Sequence, residues 1–375
     1  MRTEAPITAL DVRSYRVPTR SFGEDVAESD GTAQWDGTTI VVVQVSAGGE
    51  TGLGYAYASS AAPAVIRDAL SPVVLGADAL AVTGLFWNMA GAVRNLGWPG
   101  VCAGAISAVD AAVHDLRGRL LQASLGVLLG GARRSVPAYG SGGFTSYSIP
   151  QLCTQLAGWA EQGFGAVKMK IGRDPQADVE RVTAAREAIG PEVELFVDAN
   201  GAYRESEALW FAERFAELGV SWFEEPVTSD DLPALHRLRE RMPGGMRVAA
   251  GEYGYTPRYF ADMAGADAVD VLQADSTRCG GPTGFALAAS VALTAGVPCS
   301  AHTAPALHGV LGAALEGVAN VEYFHDHARI EELFFDGLPA LSDGVLVPDP
   351  GRPGNGLELK EKQAEPYLTE QWRTD

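Results

Sequence analysis

Apolar and polar positions alternate in ITALDVRSYRVPT (residues 7–19) and in TTIVVVQVSAGGETGLGYAY (38–57), the period-two pattern of strands. GGETG interrupts the second stretch as a tight turn, and a polar, glycine-containing segment from Ser21 to Gly37 separates the two. The opening therefore reads as an antiparallel meander. Helical spacing follows from Pro63 to Leu75, Leu85 to Arg94 and Ala103 to Leu121. From Val136 the pattern changes to short apolar runs, VPAYG, AVKMK, VELFVDAN, VSWFEEP, RVAAGE, AVDVLQAD, VPCSAH and ANVEYF. Amphipathic segments such as DVERVTAAREAIG and SEALWFAERFAELG lie between them. Eight strands alternating with helices, at intervals of roughly 20–30 residues, predict a parallel (β/α)8 TIM barrel over residues 131–345. A doubly wound open sheet is the competing arrangement. It is disfavoured because no Gly-x-Gly-x-x-Gly follows the first strand and polar residues end nearly every strand. The expected organisation is an α+β domain over 1–130, the barrel, and a Pro- and Gly-rich tail from about 346 to 375 that returns to the first domain.

Composition narrows the class. Of 375 residues, 47% are hydrophobic and 20% charged, which supplies a large core and excludes a disordered chain. A net charge of −19 repels phosphate backbones and anionic membrane surfaces, so neither nucleic acid nor a membrane is expected as a partner. MRTEAPITALDV lacks the basic-then-apolar order of a signal peptide, and no run approaches the roughly 18–20 apolar residues of a membrane span. Cys102, Cys153, Cys279 and Cys299 show no C-x-x-C spacing, so neither a disulfide framework nor a zinc knuckle is indicated. A soluble, cytoplasmic protein is expected.

One count changes the picture further. The chain contains 24 Arg but four Lys, of which Lys360 and Lys362 lie in a polar tail. Lys168 and Lys170 stand two apart in the apolar segment GAVKMKIG, where only Lys, not Arg, can give up its proton. Reading the carboxyl ends of the predicted strands gives Lys168 and Lys170, Asp198, Glu224, Glu252, Asp275, His302 and Glu322. In a barrel these ends converge on one mouth. Asp198, Glu224 and Glu252 are each one strand–helix unit apart, and three converging carboxylates repel unless a cation joins them. All-oxygen ligation suits Mg²⁺, whereas Zn²⁺ favours His or Cys. Taken singly, each carboxylate also fits a helix cap or a salt bridge after a strand.

K-x-K at 168–170, D-A-N at 198–200, E-E-P at 224–226, G-E at 251–252, Asp275 followed by G-G, His302 and Glu322 occur in order. Together they resemble the enolase superfamily and, within it, the mandelate racemase subgroup. The resemblance covers essentially the whole chain. It implies a modified enolase-type barrel under an N-terminal α+β capping domain that the C-terminal segment completes, in a symmetric homo-oligomer. It implies one Mg²⁺ per subunit held by Asp198, Glu224 and Glu252. Lys170 becomes an acid/base catalyst, and Lys168 lies beside it against the substrate carboxylate. His302 paired with Asp275 becomes the second acid/base, Glu322 shares a hydrogen bond with the developing enolate, and Asn200 is a substrate-side candidate. Arg278, in STRCGG after Asp275, reads from its place in the chain either as a substrate-binding residue or as a cap on the next helix. The Glu at the third ligand position and the His–Asp pair differ from the muconate cycloisomerase pattern, which uses a second Lys.

Elementary electrostatics agrees with these roles. Loss of a proton α to a carboxylate needs strong stabilisation of the enolate, and enolase-type sites meet that need with a Lys or His base and Mg²⁺. A second ammonium two residues away on the same strand face is expected to bring Lys170 toward working pH. Asp275 is expected to fix one tautomer of His302 and favour its imidazolium. Two acid/base groups about one carbon support dehydration of an acid sugar, an aldonate or aldarate, to a 2-keto-3-deoxy acid. They also support racemisation or epimerisation of a 2-hydroxy acid. A Schiff-base aldolase using Lys170 leaves three carboxylates unexplained, and a non-catalytic carboxylate binder would keep the metal site without proton exchange. His308, His325 and His327 read as ordinary loop or helix residues, His114 and His236 as structural or solvated, and Glu225 as a support for the ligands. Trp35, Phe22 and Trp98 fall in segments that fold over the mouth in this family.

Overall fold

The structure, a computed structural model, describes residues 4–22 and 27–374; the side chains of 21 and 22, Phe22 among them, lie outside the described residues. The cap is built on strands β1 (Ile7–Pro18), β2 (Gly37–Ala47) and β3 (Glu50–Tyr57), an antiparallel meander in which Asp11 faces Gln44 and Val43 faces Gly54. The run IVVVQV in β2 is apolar on both sides because both faces are buried. Val41, Val43 and Val45 pack on Ile106, Val109 and Val113 of the 21-residue helix α1 (Val101–Leu121). Ile40 and Val42, pointing the other way, join the core of the barrel.

The barrel follows in strict alternation. Its strands are β4 (Val136–Gly142), β5 (Ala166–Lys170), β6 (Glu194–Asp198), β7 (Val220–Glu224), β8 (Arg247–Ala250), β9 (Val271–Ala274), β10 (Cys299–Ala301) and β11 (Val318–Phe324). Each pairs in parallel with the next, and β11 pairs in parallel with β4, so the sheet closes. The helices are α2 (Ile149–Glu161), α3 (Pro175–Ile189), α4 (Glu205–Glu217), α5 (Leu232–Arg239), α6 (Pro257–Gly265), α7 (Gly281–Ala295), α8 (Pro305–Ala314) and α9 (His325–Phe334). Several begin with a side-chain cap and an early proline: Asp174 before α3, Asp231 before α5 and Thr256 before α6. Outward strand residues such as Val167, Leu195, Phe223 and Leu272 pack under these helices. Inside, Tyr139, Phe196 and Trp222 fill the base, with the Phe196 and Trp222 rings stacked at 4.8 Å.

The chain end ties the two parts together. Val345–Val347 pairs antiparallel with the start of β4, and β12 (Leu368–Arg373) adds antiparallel to the free edge of β1. Asp115 in α1 clamps β3 to the tail, accepting the Leu53 N–H at 2.7 Å and the Asn355 N–H at 2.7 Å. The cap loop seats directly on the barrel mouth: a Cβ on Gly31 would lie 2.3 Å from the Ala199 carbonyl oxygen, so only glycine permits this approach. Trp35 donates from Nε1 to Asp326 at 2.9 Å and stands edge-on to Phe144, while Arg329 bridges Glu28 and Asp326. All four cysteines are free, and no described helix is long and apolar enough to cross a membrane.

A second tie carries a pH signature. Tyr55 of β3 donates its hydroxyl to Glu331 of α9 at 2.6 Å, and the Ala306 N–H donates to the other oxygen at 2.8 Å. Burial raises the Glu331 carboxyl from its ordinary 4.5 to about 8, outweighing those hydrogen bonds. Between these values the folded chain holds a proton that an unfolded chain releases, so this group's contribution to stability falls as the pH rises from 4.5 to 8. Glu331→Gln is expected to flatten the decline of the denaturation midpoint across that interval. A slope equal to that of the wild type would show that the carboxyl is already ionised when folded.

Candidate active site

The period of two places two residues of most strands on the barrel axis, one above the other. Lys168 precedes Lys170, Phe196 precedes Asp198, Trp222 precedes Glu224, Ser300 precedes His302 and Asn320 precedes Glu322. The lower positions include the aromatic plug; the upper ones are ionisable and buried, as is Asp275 just past β9. Glu252 lies two residues beyond β8 and is reached through Gly251 at φ 135°, where an added Cβ would stand 2.2 Å from the Gln273 carbonyl oxygen. The G-E pair is thus a requirement of the backbone as well as of the carboxylate.

Asp198, Glu224 and Glu252 each offer an oxygen, and the three atoms lie within 4.8 Å of one another. Glu224 accepts from Lys168 Nζ at 2.5 Å and from Trp222 Nε1 at 3.1 Å. Asp198 contacts Lys170 Nζ with one oxygen and takes the Asn200 N–H at 2.8 Å with the other. Glu252 has Arg278 Nη1 3.3 Å from Oε1, while Oε2 is buried 3.1 Å from His302 Nε2 without an aligned hydrogen bond. Burial and the neighbouring Asp198 and Glu322 carboxylates raise Glu224 to about 8 in spite of Lys168. A buried all-oxygen set with an oxygen lacking a hydrogen bond fits a hard divalent cation of the Mg²⁺ type.

The two flanks of this triad differ. On one side burial and Lys168 both favour a neutral Lys170, but the Asp198, Glu252 and Glu224 carboxylates together outweigh them and hold its pKa above the ordinary lysine value. The expectation that Lys168 brings Lys170 toward working pH is therefore corrected: its effect has the expected sign and is too small against these carboxylates. On the other side His302 Nδ1 lies 2.9 Å from Asp275 Oδ2, which turns Nε2 toward Glu252 and toward Glu322, 3.7 Å away. Burial opposes its charge, yet Glu252, Glu322 and Asp275 raise it to about 10. Asp275 is lowered, because His302 and Arg278 outweigh its burial. Glu322 takes the Ser141 hydroxyl at 2.6 Å, the Thr303 N–H at 3.0 Å and Lys168 Nζ at 2.9 Å.

The remaining candidates separate cleanly. Asn200 and Glu225 stand at the mouth in left-handed backbone, φ 47° and 38°. Arg278 sits on Glu252 and 5.3 Å over the Tyr253 ring rather than on a helix end. His114 bonds Thr283, tying the cap to α7, and His236 reaches the Asp267 carbonyl at the surface. His325 packs on the Phe144 and Trp159 rings, and His327 stacks on Tyr57 at 3.3 Å. Trp98 packs against Phe86 and Trp87 within the cap. His308 goes beyond its sequence reading. Its Nδ1 donates to the Thr303 carbonyl at 2.7 Å and its Nε2 accepts the Ser276 N–H at 2.9 Å. It therefore joins the residue after Asp275 to the residue after His302. No periodicity marks it, because the contact spans two loops.

Comparison with known proteins agrees with this geometry. Residues 28–130 match the mandelate racemase/muconate lactonizing enzyme N-terminal domain, and residues 151–363 match the enolase C-terminal domain-like family. The chain is 30% identical over 355 residues to D-galactarolactone cycloisomerase of Agrobacterium fabrum, covering 89% of this chain and 93% of that protein. It is 29% identical over 370 residues to arabinonate dehydratase of Saccharolobus solfataricus, covering 95% and 98%. Its fold superposes with a TM-score of 0.93 on a mandelate racemase/muconate lactonizing enzyme-like protein from Rubrobacter xylanophilus, at 48% identity and covering 97% and 100%. The TM-score is 0.88, at 30% identity and 99% of each chain, for L-talarate dehydratase from Polaromonas sp. JS666 complexed with Mg and L-glucarate.

Replacing His308→Leu removes the partners of two buried backbone groups. It is expected to lower the unfolding free energy by about 2–5 kcal/mol in urea denaturation. A loss below about 1 kcal/mol would mean that neither bond bears on the fold.

Proposed function

The chain belongs to the mandelate racemase/muconate lactonizing enzyme family of the enolase superfamily, and from that premise we propose that it removes the proton α to the carboxylate of a small hydroxy acid. The reaction best supported is dehydration of an acid sugar, an aldonate or aldarate, to a 2-keto-3-deoxy acid. One observation carries it: an amine and an imidazole flank the carboxylate triad from its two ends, Lys170 on Asp198 and His302 on Glu252.

Asp198, Glu224 and Glu252 would hold Mg²⁺. When bound, the ion supplies positive charge that makes the substrate carboxylate an electron sink as the adjacent C–H bond breaks. Lys168, buried between Glu224 and Glu322, contributes a fixed ammonium on the same side. Lys170 takes the α proton. The Asp198, Glu252 and Glu224 carboxylates that hold it protonated in this structure are the ligand set; once those charges are committed, burial and Lys168 both favour the neutral amine. His302, whose imidazolium is favoured by Asp275 and Glu322 outside the ligand set, gives its Nε2 proton to the leaving β-hydroxyl. Glu322, held by Ser141 and the Thr303 N–H, shares a hydrogen bond with the enolate oxygen. Asn200 and Arg278 orient the substrate.

Where no β-hydroxyl can leave, the same imidazolium returns a proton to the opposite face, which is racemisation or epimerisation. A Schiff-base role for Lys170 fits poorly, since both lysines are ion-paired with buried carboxylates. The same reading comprises a cap of residues 1–130 completed by about 346–375, a barrel of 131–345, and a cytoplasmic homo-oligomer without nucleic-acid or membrane partners. The net charge of −19 supports the last point.

A panel of aldonates and aldarates with Mg²⁺ in D₂O is expected to yield a 2-keto acid. Lys170→Ala should reduce turnover roughly 10²–10⁴-fold, and His302→Asn should do the same for dehydration while leaving some C2 deuterium exchange. Exchange without keto product would select the epimerase, and full turnover by Lys170→Ala would remove the assignment of the base.

A further inference from the structure

Beside the triad lies a cavity of about 640 Å³, bounded by the loops after β6, β7 and β8 and by Thr32 and Pro99 of the cap. The residues that follow the three ligands line it: Asn200 comes two after Asp198, Glu225 one after Glu224 and Tyr253 one after Glu252. In a strand the residue after an inward ligand points away from the axis. At Glu225 the left-handed backbone breaks that alternation, and Asn200, two residues after its ligand, is left-handed as well, a conformation non-glycine residues hold only under constraint. Asn200 Oδ1 and Glu225 Oε1 are both buried and have no hydrogen-bond partner among the described residues. Such atoms ask for donors from a ligand.

The lining has a definite character. Seven of its twelve residues bear hydroxyls, two are acids, Glu225 and Asp230, and none is Lys, Arg or His. Arg278, 5.3 Å over the Tyr253 ring and not among the lining residues, is already engaged with Glu252 and Asp275. A carboxylate brought here would face the Asp230 carboxylate and find no counter-charge among the described lining residues. A hydroxyl-bearing carbon chain could donate to the two orphan acceptors and accept from the tyrosines.

We propose that this cavity receives the far end of the substrate and selects an uncharged polyol terminus, so that the enzyme prefers aldonates, with one carboxylate, over aldarates, with two. The inference rests on the proposed placement of the reacting carboxylate at the triad. Its test is binding rather than turnover. Mg²⁺-loaded Lys170→Ala protein is titrated calorimetrically with aldonate and aldarate pairs matched in configuration from C2 to C5. The aldonate is expected to bind at least about tenfold more tightly in the best pair. Asp230→Lys, at an exposed lining position, is expected to narrow that preference by strengthening the aldarate. Aldarate binding as tight as aldonate binding in every pair, or no binding of either acid, overturns the proposal. So does an unchanged preference in Asp230→Lys. C2 proton exchange by the unmodified enzyme is read separately. Its absence alongside a retained aldonate preference would remove proton abstraction and leave the cavity assignment standing. Exchange together with an aldarate preference would do the reverse.

Discussion

Six carboxyl groups, those of Asp198, Glu224, Glu225, Glu252, Asp275 and Glu322, are buried at one end of a closed barrel, and their mutual repulsion is the constraint to which the rest of the site answers. Lys168, Lys170, Arg278 and a protonated His302 are the cations set among them, each within ion-pair distance of at least one. Removing one partner from so dense an arrangement would leave a buried charge uncompensated.

The fold makes such a cluster possible by geometry. A parallel barrel aims all its strand ends one way, and the two-residue period puts an aromatic or neutral side chain beneath several of the ionisable ones. Tyr139, Phe196 and Trp222 close the base and keep water from reaching the charges from below. From above, the cap seats Gly31 against Ala199 and latches Trp35 to Asp326. The Tyr55–Glu331 bond and the Asp115 clamp on the chain end hold the cap at that distance.

Much of this is legible in the sequence, for a reason specific to barrels. All eight strands are where the apolar runs predict, and a residue ending a barrel strand needs no tertiary information to be placed at the mouth. The rarity of Lys singles out Lys168 and Lys170 before any geometry. What escapes is what depends on contacts between loops. His308 lies between two loops far apart in sequence, and the cavity beside Asn200 and Glu225 arises from backbone conformations that leave no periodic trace. The sequence shows the neighbour of Lys170 within its own strand, whereas carboxylates from three other strand ends together decide its protonation. Glu28 and Asp326, paired through Arg329 across the cap and barrel, are invisible for the same reason.

The central claim is that Asp198, Glu224 and Glu252 together form one divalent-cation site. Calorimetric titration of Mg²⁺ into chelator-treated protein tests it most directly. The account predicts one saturable site per chain in the wild type, lost on Asp198→Asn, on Glu224→Gln and on Glu252→Gln, each variant remaining folded by circular dichroism. Binding that survives all three substitutions, or no saturable binding by the folded wild type, would contradict it.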